Sequence, residues 1–299
     1  MQEILILLFI VILIFYSKNN IKENFLERNI IDIKYIEKLN MKDKICRKLI
    51  VNNKLADKEK ILDIYYKHIR KLDVNEHKKI INLFSIIDNT LKKNKKYKKW
   101  LEIYFKVYIF DNIENNYPHT HHNNILIPVD FELKDIYSIK NTLLHEKMHI
   151  IQRFKRDSFY NLYENYWNFR YKQISNLNKI ERYSRTNPDG IDNNWVFCRD
   201  GIKIVLLSLY KSGSKKLGDV ETYGIYLDDD YRIQMPLKKK RIGEIDEFTL
   251  FFGELNNNNY HPNEISADML ASYLLDDDNN FDNRSQAYKM LDKWWKNIN

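Results

Sequence analysis

Cysteine, glycine and proline are all scarce in this 299-residue chain, at 2, 7 and 5 residues. The cysteines, Cys46 and Cys198, are far apart and form no CxxC pair. They supply neither a disulfide framework nor a thiolate zinc site, and such usage fits a reducing compartment best. The shortage of glycine and proline argues against long flexible linkers. No internal repeat is present, and no DNA- or RNA-binding motif accompanies the basic residues.

What the chain has in quantity is apolar and aromatic surface. Hydrophobic residues make up 44% and aromatics 14%, with 21 tyrosines, enough for a packed fold and against wholesale disorder. Its length suits one or two domains. The net charge of +8 would suit nucleic acid or an anionic membrane. The sequence is rich in Asn, Lys and Ile, however, as an A/T-rich coding sequence would make it. The densest basic run (Lys92, Lys93, Lys95, Lys96, Lys98, Lys99) follows the apolar-periodic Ile80, Leu83, Phe84, Ile87 and Leu91. It reads as the solvated C-terminal end of a helix, so no nucleic-acid partner is expected.

One long hydrophobic run stands out, Ile4 to Tyr16. As a helix it reaches about 20 Å at ~1.5 Å per residue, short of a ~30 Å hydrocarbon core. A cleaved signal peptide is disfavoured by Glu3 in place of a basic n-region and by Ser17-Lys18-Asn19-Asn20 where small cleavage residues belong. A buried core helix is disfavoured because the run is apolar all round at the extreme terminus. An uncleaved membrane anchor within residues 1–20 is the preferred reading, with Lys18 and Lys22 snorkelling to the interface. These lysines favour a single-pass arrangement with the main domain on the cytoplasmic or inner side.

Beyond the anchor, residues 21–299 read as one α+β unit, a helical part over 21–100 and a catalytic part over 101–299. The clearest early helix runs from Asn75 to Lys92. Alternation in Ile103, Phe105, Val107 and Ile109 marks a strand. Asp111 to Asn124 reads as a polar connection, and Ile125 to Val129 as a short strand. A helix follows from Ser138 to Phe154, then an aromatic segment (Tyr160, Tyr163, Tyr166, Trp167, Phe169) also expected to be helical. Asn187-Pro188-Asp189-Gly190 is a turn. Strands are expected at Ile202–Leu209, Tyr223–Leu227 and Tyr231–Met235. A helix begins near Pro262, and a last one carries Trp294 and Trp295.

The chemistry concentrates in His145-Glu146-Lys147-Met148-His149. Residues four apart share a helix face about 5–6 Å apart, so the two imidazoles can converge on one zinc ion. Glu146 then stands where it can serve as a general base without being a ligand. Leu143, Leu144, Met148, Ile150 and Ile151 make the helix a buried one, where imidazoles need polar partners. A chance match to this pattern at 8 histidines in 299 residues is on the order of one in a hundred. A third ligand is needed. A third histidine close behind is ruled out, because Gln152 and Lys155 occupy the metzincin glycine and histidine positions. An acid on a later helix remains: Glu264, with His261 and Glu254 as rivals. Asp268, four residues on, is spaced to orient a ligand histidine.

His145-Glu146-Lys147-Met148-His149 followed downstream by Glu264 and Asp268 resembles the gluzincin metallopeptidases. The resemblance covers only these two motifs. It implies a zincin-like catalytic domain, zinc as cofactor, Glu264 as third ligand, Asp268 as partner of His145, and a peptide or protein substrate. The chain also looks like uncharacterised HExxH proteins of large DNA viruses, through Pro118-His119-Thr120-His121 and Arg185-Thr186-Asn187-Pro188-Asp189. No activity follows from that likeness. For a hydrolase, Tyr260, His261, Tyr183 and Arg185 are candidates to stabilise the oxyanion. His119 and His121 are candidates for substrate contact, and the strand carrying Ile127 is the expected edge for pairing an extended peptide. Three other functions compete with a membrane-anchored metallopeptidase: a structural or interaction protein with a zinc-stabilised helix, a zinc hydrolase of non-peptide substrates and, more remotely, nucleic-acid binding. Glu146 favours the hydrolases, because a structural site has no use for a base.

Overall fold

The computed structural model describes residues 30–41, 57–91, 100, 102–131, 136–190, 194–255, 259–275 and 285–298. The anchor expected over Ile4–Tyr16, Cys46 and the Lys92–Lys99 run lie outside these residues. Among the described residues no helix is long and apolar enough to cross a membrane.

The architecture is mixed α and β, as the patterns indicate. Helices α1 (Ile33–Met41) and α2 (Lys58–His68) lead into the short strand β1 (Ile69–Lys71) and helix α3 (Val74–Leu91). Then come β2 (Lys106–Phe110), a 3-10 turn at Glu114–Asn116, β3 (His119–His121) and β4 (Asn124–Pro128). These form one four-stranded sheet in the order β1-β2-β4-β3. β2 and β4 are parallel, and β3 runs antiparallel to β4 with His119 opposite Leu126.

This order corrects one expectation. β4 is flanked on both sides, and Ile127 pairs with Ile109 and is 1% exposed. The strand carrying Ile127 is internal, so it offers neither a free edge nor a substrate contact. The outer position falls to β3, within a segment that reads as a polar connection.

Helix α4 (Ile136–Phe154) is buried on two sides. Ile139, Leu143, Leu144, Met148, Ile150 and Ile151 join a core with Ile80, Phe84 and Ile87 of α3 and with Ile125 and Ile127 of β4. The polar side of α4, carrying His145, His149 and Gln152, faces a later helix. The aromatic segment forms α5 (Arg156–Asn161) and a π turn (Leu162–Tyr166), then leaves the helix as β5 (Phe169–Tyr171). After α6 (Asn178–Glu181), strands β6 (Trp195–Arg199), β7 (Ile202–Tyr210), β8 (Val220–Tyr226) and β9 (Lys239–Arg241) complete a second, antiparallel sheet, β5-β6-β7-β8-β9. The strand expected over Tyr231–Met235 reduces to two isolated bridges, Leu227 to Ile233 and Ser175 to Arg232.

Helix α7 (Asp246–Phe252) packs Phe248, Phe251 and Phe252 on Phe197 of the second sheet. Helix α8 (Pro262–Leu275) starts on proline as expected, and buries Ile265, Ala267, Leu270 and Ala271. Helix α9 (Gln286–Asn297) brings Trp294 and Trp295 against Trp100, so both tryptophans are core residues. The early helices do not stand apart. Tyr35, Ile36, Ile61 and Tyr65 share a second core with Tyr108, Phe110, Leu126 and Leu217.

Gly224, on β8, is required by the packing between the second sheet and the turn before α7. A Cβ there would lie 3.1 Å from Ile204 Cδ1 and closer still to Ile245 Cδ1. Overpacking of this kind costs about 1–3 kcal/mol. Gly224→Ala should therefore destabilise the protein by that amount in urea denaturation. Gly243→Ala, with nothing within 4 Å of its Cβ, should leave the midpoint unchanged.

Candidate metal centre

Helices α4 and α8 build the site between them. His145 and His149 sit one turn apart, with imidazole centroids 4.6 Å apart and planes at 82°. Their Nε2 atoms approach to 2.9 Å. Glu264 Oε2 lies 3.4 Å from the first and 3.5 Å from the second. Glu264 is 5% exposed and His149 1%.

The other nitrogen of each ring is engaged. His145 Nδ1 donates to Asp268 Oδ1 at 2.7 Å, the partner that the resemblance implies. His149 Nδ1 lies 2.9 Å from Gln152 Oε1. The Gln152 amide group has its nitrogen on two acceptors, the Asn263 carbonyl at 2.8 Å and Ser266 Oγ at 2.9 Å. That fixes its oxygen toward His149, so Nδ1 must be the donor. Both Nε2 atoms are thereby left to converge, with Glu264 Oε2, on one point. A single cation would satisfy all three atoms, whereas protons on two nitrogens 2.9 Å apart would repel. The residues present fit a divalent metal with two imidazoles and a carboxylate.

The surroundings favour positive charge at this point. Burial opposes charge on both imidazoles, yet the carboxylates outweigh it. Asp268 and Glu264 hold His145 well above its usual range, and Glu264 with Asp189 raises His149. Burial likewise works against the Glu264 charge, but His149 and His145 hold this carboxyl far below the ordinary range.

Glu146 is 4% exposed, and its Oε2 has no hydrogen-bond partner. Burial and the Asp189 carboxylate push its carboxyl up to about 8, against the pull of His145 and His149. The cleft in front of it is about 280 Å³ and is lined by His119, Arg185, Asn187, Tyr260 and Asp268, among others. Tyr260 oxygen accepts from Asn187 Nδ2, and Asn187 also donates to Glu264 Oε1 at 2.9 Å. Arg185 lies over the Tyr260 ring, 5.5 Å from its centroid. Burial, followed by Glu264, raises the Tyr260 hydroxyl in spite of Arg185, so it stays a proton donor.

Several expected residues fall elsewhere. His261 caps α8, its Nδ1 accepting from Asn263 N–H at 3.1 Å while its ring packs 3.4 Å from the position of a Gly190 Cβ. Glu254 is exposed beyond α7 and is absent from the converging set. Tyr183 is 51% exposed and lines a different hollow. His121 is fully buried against Tyr35 and Tyr65, and lines no part of the cleft. His119 does line it. Asp189 locks its own turn to β3 and α4, accepting from Thr120 N–H at 2.8 Å and pairing with Arg153 at 3.5 Å. Gln152 and Asn187 are the residues that the pattern did not single out for the site. Gln152 lay open to recognition, three residues after His149 on the same helical face.

No family model matches the chain, and no curated protein or solved structure shows significant similarity to it.

His121 predicts a pH effect. Burial, then His119, Arg153 and His122, hold its imidazole well below the usual 6.5. Tyr35, Tyr65 and the Asp32 N–H, 3.2 Å from Nδ1, complete its surroundings. A neutral folded imidazole contributes stability that is full above pH 6.5 and lost as pH falls below it. Urea midpoints of the wild type should therefore drop more between about pH 7.5 and 5.5 than those of His121→Gln. Equal drops would show that His121 is not held neutral.

Proposed function

We propose that the protein is a zinc-dependent hydrolase of the gluzincin type, with a zincin-like catalytic domain acting on peptide bonds. The observation that carries this reading is the meeting of His145 Nε2, His149 Nε2 and Glu264 Oε2 at one point, with both Nδ1 atoms tied down by Asp268 and Gln152. Its support also includes a buried, unpartnered carboxyl oxygen on Glu146 beside that point.

His145, His149 and Glu264 would hold the zinc. When bound, it supplies a Lewis acid that polarises a carbonyl and lowers the pKa of water toward ~7. Glu146, the general base, takes a proton from the attacking water as its oxygen bonds to the carbonyl carbon. It returns that proton to the amide nitrogen as the carbon–nitrogen bond breaks. Tyr260, its oxygen already accepting from Asn187, turns its own O–H toward the cleft and donates to the developing oxyanion. Arg185, over the Tyr260 ring, holds the phenol in place. Asp268 and Gln152 orient the imidazoles, a role whose loss typically costs 10–100-fold in metal affinity.

Glu146→Gln should keep zinc and lose peptide hydrolysis by at least about 100-fold, the lower range of a general base's contribution. Asp268→Asn should weaken zinc binding by about 10–100-fold in competition with a chelating dye. Hydrolysis at the wild-type rate by Glu146→Gln would overturn the assigned base.

A further inference from the structure

The lining of the cleft includes acceptors that the hydrolytic step does not use. Glu114 and His119 lie on it, in and just after the turn that precedes β3. The Tyr35 and Tyr65 hydroxyls both donate to Glu114 Oε1, the first at 2.6 Å. Among the described residues, no lysine or arginine pairs with this carboxylate.

His119 is 3% exposed. Its Nδ1 lies 2.9 Å from the Tyr117 carbonyl, which can only accept, so this nitrogen carries the proton. The lone pair is thus on Nε2, which is buried without a partner. Asn141 Oδ1, on the first turns of α4 and beside the same cleft, is also buried without a donor. A buried acceptor with no donor is costly, and these open atoms all want the same thing. Glu114, Asn115 and Asn116 have left-handed backbone, unusual outside glycine, with φ of 47°, 54° and 55°.

We propose that the wall formed by Glu114 and His119 is a subsite for a cationic nitrogen of the substrate, an ammonium or guanidinium group. The cation pairs with Glu114, and His119 Nε2 and Asn141 Oδ1 accept further donors from the same ligand. The peptide nature of the substrate rests on the hydrolase reading; the binding of the cation does not. In a peptide, the group comes either from a free amino terminus or from a lysine or arginine side chain.

The test is calorimetric titration of the zinc-supplied full chain in detergent with three amides. Leucinamide carries only the free α-amine, N-acetylargininamide only the side-chain cation, and N-acetylleucinamide neither. At least one of the first two should bind and the third should not, which also distinguishes the two sources. Glu114→Gln keeps an oxygen for Tyr35 and Tyr65, and should weaken that binding about tenfold or more through loss of a charge-assisted contact. His119→Phe, which retains a ring against Phe110, should weaken it as well. Binding no tighter than that of N-acetylleucinamide, or binding unchanged in Glu114→Gln, would overturn the proposal. The hydrolase reading fails separately: a protein that binds the cation through Glu114 yet hydrolyses no peptide would refute the reaction and leave the subsite standing.

Discussion

The contact between helices α4 and α8 is the constraint on which the rest of the structure depends. It is a polar seam inside an apolar interior. His145, His149 and Gln152 from one helix meet Glu264, Ser266 and Asp268 from the other. Burying a carboxylate against two imidazoles is unfavourable unless every donor and acceptor is matched. Each outward-facing atom has its match. The remaining three point at one another, and a cation at their meeting point would resolve the mismatch. The surrounding core, with Leu143, Leu144, Met148 and Ile151 on α4 and Ile265, Ala267 and Leu270 on α8, holds the two helices in register so that the ligand atoms stay within reach of one another.

The same logic of matched polar groups extends outward through the turn at residues 187–190. Asn187 donates to both Tyr260 and Glu264, while Asp189 ties the turn to Thr120 of β3 and to Arg153 of α4. One short loop thereby couples Glu264, the phenol and the outer strand. β3 in turn is shaped by the early helices, since Tyr35 and Tyr65 enclose His121. Helices α1 and α2 therefore contribute to the cleft as well as to the core.

Much of the centre was legible in the sequence because its signals are local. The spacing of His145 and His149 fixes their common face, and apolar neighbours make the helix a buried one. Proline at 262 starts α8, and the four-residue step from Glu264 to Asp268 puts both on one side. What the sequence could not disclose depends on long-range pairing. His119-Thr120-His121 is polar and reads as a connection; it becomes a strand because β4 supplies its partners, the tyrosines bury His121 and Phe110 packs on His119. Strand order is invisible to periodicity, which is why β4, rather than β3, reads as the edge in the sequence. The aromatic run after α4 has helical composition, but a π turn ends it and Phe169 begins a strand instead. Gln152 carried a usable local signal, whereas the role of Asn187 emerges only when its turn meets α8.

The central claim, that two imidazoles and a carboxylate converge to hold one metal ion, is tested most directly by elemental analysis of zinc in the purified full chain and in His149→Ala and Glu264→Ala. The account predicts about one zinc per chain in the wild type and almost none in either variant. A well-folded wild-type protein that takes up no zinc when supplied with it would contradict the account, as would full zinc retention by the His149→Ala variant.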